Sequence, residues 1–323
     1  MFERLFRNEM SPEEARRFLI ELYEKGESAE DIAEAAKIMR SMSVKLPIPK
    51  ELQDKLIDVV GTGGDKSGTF NVSSTVALLL PALGCYVAKH GNRSITSKSG
   101  SADMLEALGI DLDLSVEQQV RMLECTGFCF IFAKNHHPVM KHIMPIRKSI
   151  PHRTIFNILG PLTNPAGAKK YLLGVFDKSF IPKIAEAMRR LGAKRALVVA
   201  SEEGMDELTI TGITHVAELR GDTIRYYYIA PEDVGLSKAP LSEILGGDAI
   251  QNAAITRAIL EGEEQGPKRD MVLLNAGAAL YVDGKAESIQ DGIAMAKEAI
   301  ESGKAKEKLV QIIECSKELA HGD

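Results

Sequence analysis

The sequence predicts an α/β protein: a small helical N-terminal domain, then a large domain whose central, mostly parallel sheet is flanked by helices. Three observations predict it. Short apolar, β-branched runs alternate with helix-period segments from residue 56 to residue 200, the pattern of repeated strand–helix units. Polar loops rich in glycine or hydroxyls follow the first two runs, where parallel sheets place their ligand-binding loops. Residues 1 to 43 read as helix, and Leu46-Pro47-Ile48-Pro49 then breaks the chain before the first strand, because two prolines disfavour helix on either side. The expected division is a helical unit over 1–48 and an α/β unit over 49–323.

The elements follow in order. Ser11-Pro12-Glu13-Glu14 combines an N-cap, a proline at the first helical position and a capping-box glutamate. Ala15, Phe18, Leu19 and Leu22 mark one face of that helix, and Gly26 ends it. Ser28 opens the next helix, with Ile32, Ala35, Ala36 and Met39 on its buried face. Neither amphipathic stripe can be buried alone, so both must pack on the rest of the chain or on a second copy. Strands are expected at Leu56–Val60, Cys85–Ala88, Phe128–Ala133, Tyr171–Phe176 and Arg195–Ala200. Helices are expected over Val72–Leu83, Ala102–Leu108, Ser115–Thr126 (ended by Gly127) and Ile181–Leu191, with a further helix around Met140–Ile146 kinked by Pro145. Thr214–Ile229, broken at Gly221-Asp222, reads as an antiparallel hairpin at the sheet edge. Helices then fill Asp248–Glu261, Arg269–Tyr281, Ser288–Ser302 and Ala305–Ala320.

Composition narrows the function. Apolar content of 45% and charged content of 26% are ordinary for a globular enzyme, and the net charge of −5 argues against nucleic acid as the main partner. Cys85, Cys125, Cys129 and Cys315 are scattered with no C-x-x-C, so neither zinc nor a disulfide framework is implied. MFERLFRNEM is too charged for a signal peptide, and the longest apolar run, Val76–Ala88, is too short to span a bilayer. A cytoplasmic protein without a membrane partner is the expectation.

The stretch from Asp58 to Asp103 carries the chemistry. Gly61, Gly63, Gly64 and Gly68 crowd behind the first strand, and Asn71, Ser73 and Ser74 open the helix that follows. Such a loop lets backbone N–H groups approach an anion without Cβ interference, and the helix dipole favours negative charge at the same place. The Walker lysine is absent, and no G-x-G-x-x-G occurs here. Behind the second strand come Lys89-His90-Gly91-Asn92-Arg93 and the hydroxyl-rich loop Thr96-Ser97-Lys98-Ser99-Gly100-Ser101. One loop offers backbone donors and the other cations and hydroxyls, which together favour a bound polyanion. Four histidines, His136, His137, His142 and His152, gather in one region, but no H-x-x-x-H helix pair or cysteine partner makes them a metal site.

GTGGD, the Asn71–Ser74 segment, KHGNR and KSGSAD resemble the anthranilate phosphoribosyltransferases of tryptophan biosynthesis. The resemblance continues, in order and at similar spacing, through His137–Lys141, Arg153–Pro165 and Gly204–Glu207. It implies transfer of a phosphoribosyl group from phosphoribosyl pyrophosphate (PRPP) to anthranilate. It also implies a magnesium ion, and a homodimer made by the N-terminal helices joined by part of 134–165. Gly61, Gly64, Asp65, Thr69, Asn71, Ser73, Ser74, Lys89 and Ser101 would hold PRPP. Gly61, Gly91, Asn92, His137 and Arg153 would hold anthranilate, Arg153 by its carboxylate. The paired acids Asp206 and Glu207, with the hydroxyl of Ser73, would hold magnesium, a cation that takes few protein oxygens and keeps water and substrate phosphates for the rest. Two departures stand out: Ser149-Ile150-Pro151-His152 precedes Arg153 where a leucine-glycine pair is expected, and Lys66 stands where glycine is frequent.

Overall fold

The computed structural model describes residues 1–93 and 98–322. Thr96 and Ser97 of the hydroxyl-rich loop lie outside the described residues. The chain begins with three helices, α1 (Phe2–Phe6), α2 (Pro12–Lys25) and α3 (Ala29–Ser41). Capping boxes start the second and third. Glu14 N donates to Ser11 Oγ at 3.3 Å while Ser11 N donates to the Glu14 carboxylate at 2.8 Å, and Ser28 and Asp31 repeat the exchange.

The α/β part follows as α4 (Lys50–Gln53), β1 (Leu56–Gly61), α5 (Val72–Leu79), β2 (Tyr86–Gly91), α6 (Ser101–Ala107), α7 (Val116–Thr126), β3 (Phe128–Phe132), α8 (Ala133–His136), α9 (Met140–Lys148), α10 (Phe156–Leu159), β4 (Lys170–Gly174), α11 (Ile181–Arg190) and β5 (Arg195–Ser201). The hairpin β6 (Thr214–Arg220) and β7 (Thr223–Ile229) precedes α12 (Ala249–Leu260), α13 (Pro267–Asp283), α14 (Ile289–Glu301) and α15 (Lys304–His321). No helix among the described residues is long and apolar enough to cross a membrane.

The described strands form one sheet in the order β3-β2-β1-β4-β5-β6-β7. The first five are parallel, and the hairpin adds β6 and β7 antiparallel at one edge. The order reverses direction between β1 and β4, so a crevice opens at their carboxyl ends, where open α/β sheets bind ligands. Period-two alternation divides the core. Ile57 and Val59 join the apolar cluster under α5, α13 and α14, whereas Leu56 and Val60 join the one that α1–α3, α10 and α11 complete. The N-terminal stripes, through Leu19, Ile32 and Ala36, join the apolar cluster on that side of the sheet, α3 packing on α11 and α2 on α9.

Several boundaries differ from the sequence reading, and three of them bear on the site. The helix after the glycine loop stops at Leu79 and tightens into a 3₁₀ turn over Leu80–Leu83, because Pro81 cannot continue an α-helix. Strand β4 starts one residue earlier and ends at Gly174, two residues before Phe176. Strand β2 runs on to Gly91, so Lys89 and His90 are strand residues facing opposite sides of the sheet, not members of the loop behind it.

Helix α13 is buried nearly all round, and it meets α14 backbone to backbone. A Cβ on Gly292 would fall 2.5 Å from the carbonyl oxygen of Gly277, and one on Gly277 would fall 2.7 Å from that of Ile289. Gly292→Leu should therefore force the helices apart and cost about 3 kcal/mol of stability, the upper range for overpacking. Chemical denaturation with a wild-type midpoint would contradict this close crossing.

Candidate active site

The site is built at the carboxyl ends of the parallel strands. Gly61 ends β1 and pairs in register with Gly174, which ends β4. Across both runs the loop that follows β5. A Cβ on Gly174 would lie 1.5 Å from the backbone oxygen of Asp206, and one on Gly61 would lie 2.3 Å from its carboxylate. Asp206 then reaches into the glycine loop, where Gly63 N donates to its Oδ2 at 2.7 Å. Gly63 and Gly64 hold φ of +67° and +70°, a region open to glycine at no steric cost. Lys66 holds φ +61° and is exposed, so lysine here occupies a left-handed position that suits the glycine frequent in the resembled family, with its charge in solvent. Asp65 accepts from Ser67 N at 3.4 Å, and Thr69 lies 3.1 Å from the Ser67 hydroxyl, closing the loop on itself.

Helix α5 starts at Asn71 and aims its N-terminus at the same crevice. Ser73 N donates to Glu207 at 3.2 Å, and Lys89 Nζ reaches Ser73 Oγ at 3.3 Å while also donating to the Val59 carbonyl at 2.6 Å. The Ser74 hydroxyl is buried with no partner among the described residues. Asn71 caps the helix by position but not by hydrogen bond. Its carboxamide instead contacts Ser99 and Asn252.

On the other face of β2, His90 begins a polar chain. Its backbone N–H donates to Asp58 at 3.2 Å, and Asn164 donates to the same carboxylate at 2.8 Å and to the Ala88 carbonyl at 2.8 Å. His90 Nδ1 lies 3.0 Å from the Gly160 carbonyl, and its Nε2 lies 3.2 Å from His137 Nε2. A carbonyl can only accept, so Nδ1 of His90 carries the proton and its Nε2 accepts from His137. The remaining nitrogen of His137, Nδ1, is then a buried acceptor, and it has no partner among the described residues. Burial depresses both, helped by the His137 ring at His90 and by His136 and Lys45 at His137, to about 3 for His90 and about 4 for His137. Both are therefore neutral at pH 7. Neighbouring His136 is structural, held between the Val44 carbonyl at 2.9 Å and Gln119 at 3.1 Å.

Gly91 ends β2 where a Cβ would strike the Phe130 ring at 2.6 Å and the Ser101 Cβ at 3.2 Å, which brings Ser101 to the crevice. Asn92 follows, its carbonyl accepting from Ala102 N at 3.3 Å. Arg153 approaches from the segment after α9. Its guanidinium stacks 3.5 Å above the Phe176 ring and donates to the Gly64 carbonyl at 2.6 Å. The unexpected His152 stacks on Tyr23 of α2 at 4.0 Å and lies 2.8 Å from the Arg153 carbonyl, so the altered segment is anchored to the N-terminal helices.

Charge in the crevice is unbalanced. Burial raises the carboxyls of Asp206 and Glu207, and repulsion from Asp65 and between the pair raises them further. Burial also pushes the Lys89 ammonium down, against the pull of Asp58, Glu207 and Asp206. Asp58, desolvated behind the strand, is pushed up to about 7. Two adjacent carboxylates held with a serine hydroxyl nearby make an all-oxygen donor set that fits magnesium. No cluster of three or more His, Cys, Asp and Glu suited to a metal occurs among the described residues.

All the site residues named from the sequence lie at this end of the sheet or on the elements bordering it. Ser74 faces inward from α5, and His137 enters through its bond to His90. Sequence reasoning missed Gly174, His90, Asp58, Asn164, Phe176 and Asn252. Gly174 alone had a local signal, a glycine closing an apolar strand; the others depend on register and long-range contact.

Comparison with known proteins shows the family. Residues 53–306 match the glycosyl transferase family, a/b domain. The anthranilate phosphoribosyltransferase of Rubrobacter xylanophilus is 48% identical over 310 residues, covering 96% of this chain and 90% of that protein. The crystal structure of the Thermus thermophilus anthranilate phosphoribosyltransferase has a TM-score of 0.91 at 44% identity, covering 98% of this chain and 93% of that one. A Saccharomyces cerevisiae anthranilate phosphoribosyltransferase, in complex with PRPP and Mg, has a TM-score of 0.86 at 30% identity and covers 94% of this chain and 85% of its own. The fold is thus that of the glycosyl transferase family's a/b domain. Within that class, the chain belongs to the anthranilate phosphoribosyltransferases, pentosyltransferases of tryptophan biosynthesis.

Because the Asp206 backbone crosses directly over Gly174, Gly174→Ala should displace the acidic loop and lower kcat about a hundredfold, the cost of roughly 1 Å of misplacement. Wild-type steady-state turnover would show that the close approach is dispensable.

Proposed function

We propose that the crevice at the ends of β1, β2, β4 and β5 is where this chain transfers the phosphoribosyl group of PRPP to the amine of anthranilate. The observation that carries this reading is the meeting of a glycine loop, a helix N-terminus, the buried carboxylate of Asp206 and the half-buried one of Glu207 at the sheet's switch point. In the reaction, the amine nitrogen bonds to the anomeric ribose carbon. The bond to pyrophosphate breaks with its electron pair, and the amine loses one proton. The difficult part is departure of the diphosphate, which gains negative charge as the ribose turns oxocarbenium-like.

The chain's own groups suit that demand. Backbone donors of the loop at Gly61, Gly64 and Asp65, the side chains of Thr69, Asn71, Ser73, Ser74 and Ser101, and the ammonium of Lys89 offer an anion fixed partners in a partly buried cleft. The unpartnered Ser74 hydroxyl is one of these. Asp206 and Glu207, with Ser73, would hold magnesium, which supplies neutralising charge to the diphosphate.

Anthranilate would lie on the side bounded by Gly61, Gly91, Asn92, His137 and Arg153. The flat guanidinium of Arg153 can hold a carboxylate through paired hydrogen bonds. The lone pair on His137 Nδ1 can accept from the aromatic amine. A ring depressed this far orients the amine and is a poor store for its proton. An aromatic amine is already unprotonated at neutral pH, so the reaction needs no strong base.

Two outcomes test these assignments. Asp206→Ala combined with Glu207→Ala should abolish magnesium-dependent turnover while the thermal midpoint holds or rises, because a repelling buried pair is removed. With both carboxyls raised in the metal-free protein, wild-type metal binding should release protons and strengthen as pH rises; calorimetry showing no proton release would remove the acids from the metal site. Arg153→Lys should raise KM for anthranilate about tenfold with little change in KM for PRPP. Equal effects on both substrates would count against a carboxylate contact.

A further inference from the structure

Helix α12 is absent from the roles assigned above, yet it is bolted to the phosphate end of the crevice. Residues Leu245–Asn252 lie along the glycine loop: Thr69 bridges to Leu245, and Gly246 N donates to the Gly68 carbonyl at 2.9 Å. Gly246 sits so close that a Cβ would come 2.5 Å from Phe70 Cα. Along α12, Asn252 and Thr256 are four residues apart and share a face, matching Asn71 and Thr75 of α5. Asn252 donates to Asn71 at 2.9 Å, and the threonine hydroxyls meet at 2.7 Å.

We infer that Asn252 is a positioning residue for PRPP, turning the Asn71 carboxamide so that its NH2, and not its oxygen, is offered to the anionic substrate. This rests on the reading that PRPP binds at Asn71. The orientation follows from one donor that cannot reverse. Gly247 N–H donates at 2.7 Å to Asn252, so the atom it meets is the amide oxygen. The NH2 of Asn252 must then be the end at Asn71, and the Asn71 atom it meets must be oxygen. The Ser99 hydroxyl donates to that same oxygen at 3.0 Å, so both of its lone pairs are used. The Asn71 NH2 keeps one long approach to the Ser99 carbonyl, at 3.4 Å, and its second hydrogen has no acceptor among the described residues.

A second consequence concerns the helix. Asparagine at an N-cap ordinarily turns its oxygen onto the first N–H groups of its own helix. Asn71 makes no such bond, because Asn252 and Ser99 hold that oxygen elsewhere. The N-terminus of α5 is thereby left uncapped by its own asparagine, beside the buried and unpartnered hydroxyl of Ser74. Asn252 thus keeps the Asn71 amide as a donor for an anion, at a helix end whose Val72 and Ser73 N–H groups are held by the Phe70 carbonyl and by Glu207.

Asn252→Asp tests this directly. A carboxylate still accepts from Gly247 but presents an acceptor to the Asn71 oxygen, so Asn71 should turn over and cap its own helix. We expect KM for PRPP, and its Kd by calorimetry, to rise about tenfold, with KM for anthranilate unchanged. Asn252→Ala should move the same way, less far, should the aspartate fail to fold. Thr256→Val, one turn along the same helix pair, should lower the thermal midpoint and leave KM for PRPP alone. In an Asn71→Ala background, Asn252→Asp should add nothing further. A wild-type KM for PRPP in Asn252→Asp overturns the inference, as does an equal loss in Thr256→Val or a fully additive double variant. A wild-type chain that binds no PRPP would instead remove the assignment of the site itself, and this inference with it.

Discussion

The site exists because the backbone of Asp206 can lie across the ends of β1 and β4. Only two strand ends without a Cβ permit that approach, and Gly61 and Gly174 stand opposite each other in the sheet register. From this crossing the other features follow. The Asp206 carboxylate meets the loop N–H of Gly63, Glu207 meets the N-terminus of α5, and both acids are drawn out of water beside groups that repel them. Desolvated, like-charged carboxyls are costly to a resting protein. They are reasonable where a cation and a polyphosphate complete the site during each turnover, and that opposition of stability and function is concentrated at one loop.

The two faces of β2 divide the chemistry. Lys89 projects toward α5 and the side proposed to hold phosphate, while His90 projects the other way to Gly160 and His137. A strand alternates its side chains, so adjacent residues can serve two substrates without touching each other. Gly91 then removes a side chain at the boundary, where the Phe130 ring and Ser101 leave no room for one. Behind the strand, Asp58 and Asn164 tie the segment after α10 to β1 and β2, so the Gly160 carbonyl that orients His90 is itself held by the core.

Much of this is legible in the sequence. Alternating apolar runs and helix-period segments indicate the parallel sheet, a capping box places α2, Ser28 opens α3, and glycine density marks the loop proposed to hold phosphate. What escapes is whatever depends on register or on distant chain. Lys89 and His90 read as loop residues because the glycine two positions later looks like an early terminator, whereas pairing with β3 extends the strand through Gly91. Gly174 reads only as a glycine closing an apolar strand until its pairing with Gly61 is known. Asn252 sits within a helix whose pattern alone suggests a capped, half-buried element.

Arg153 shows how a local departure can be absorbed. The residues before it differ from the family's pattern, yet its guanidinium still faces the glycine loop, because Phe176 supplies a flat surface and Gly64 a carbonyl. His152, the residue that breaks the pattern, gains a stacking partner in Tyr23, and its contact with the Arg153 carbonyl passes that anchorage to the next residue. The bond to Gly64 also joins the group proposed to read the aromatic acid to the loop proposed to hold the sugar phosphate, so a movement of one is felt by the other. That coupling demands no element beyond a single guanidinium already shared between the two halves of the crevice.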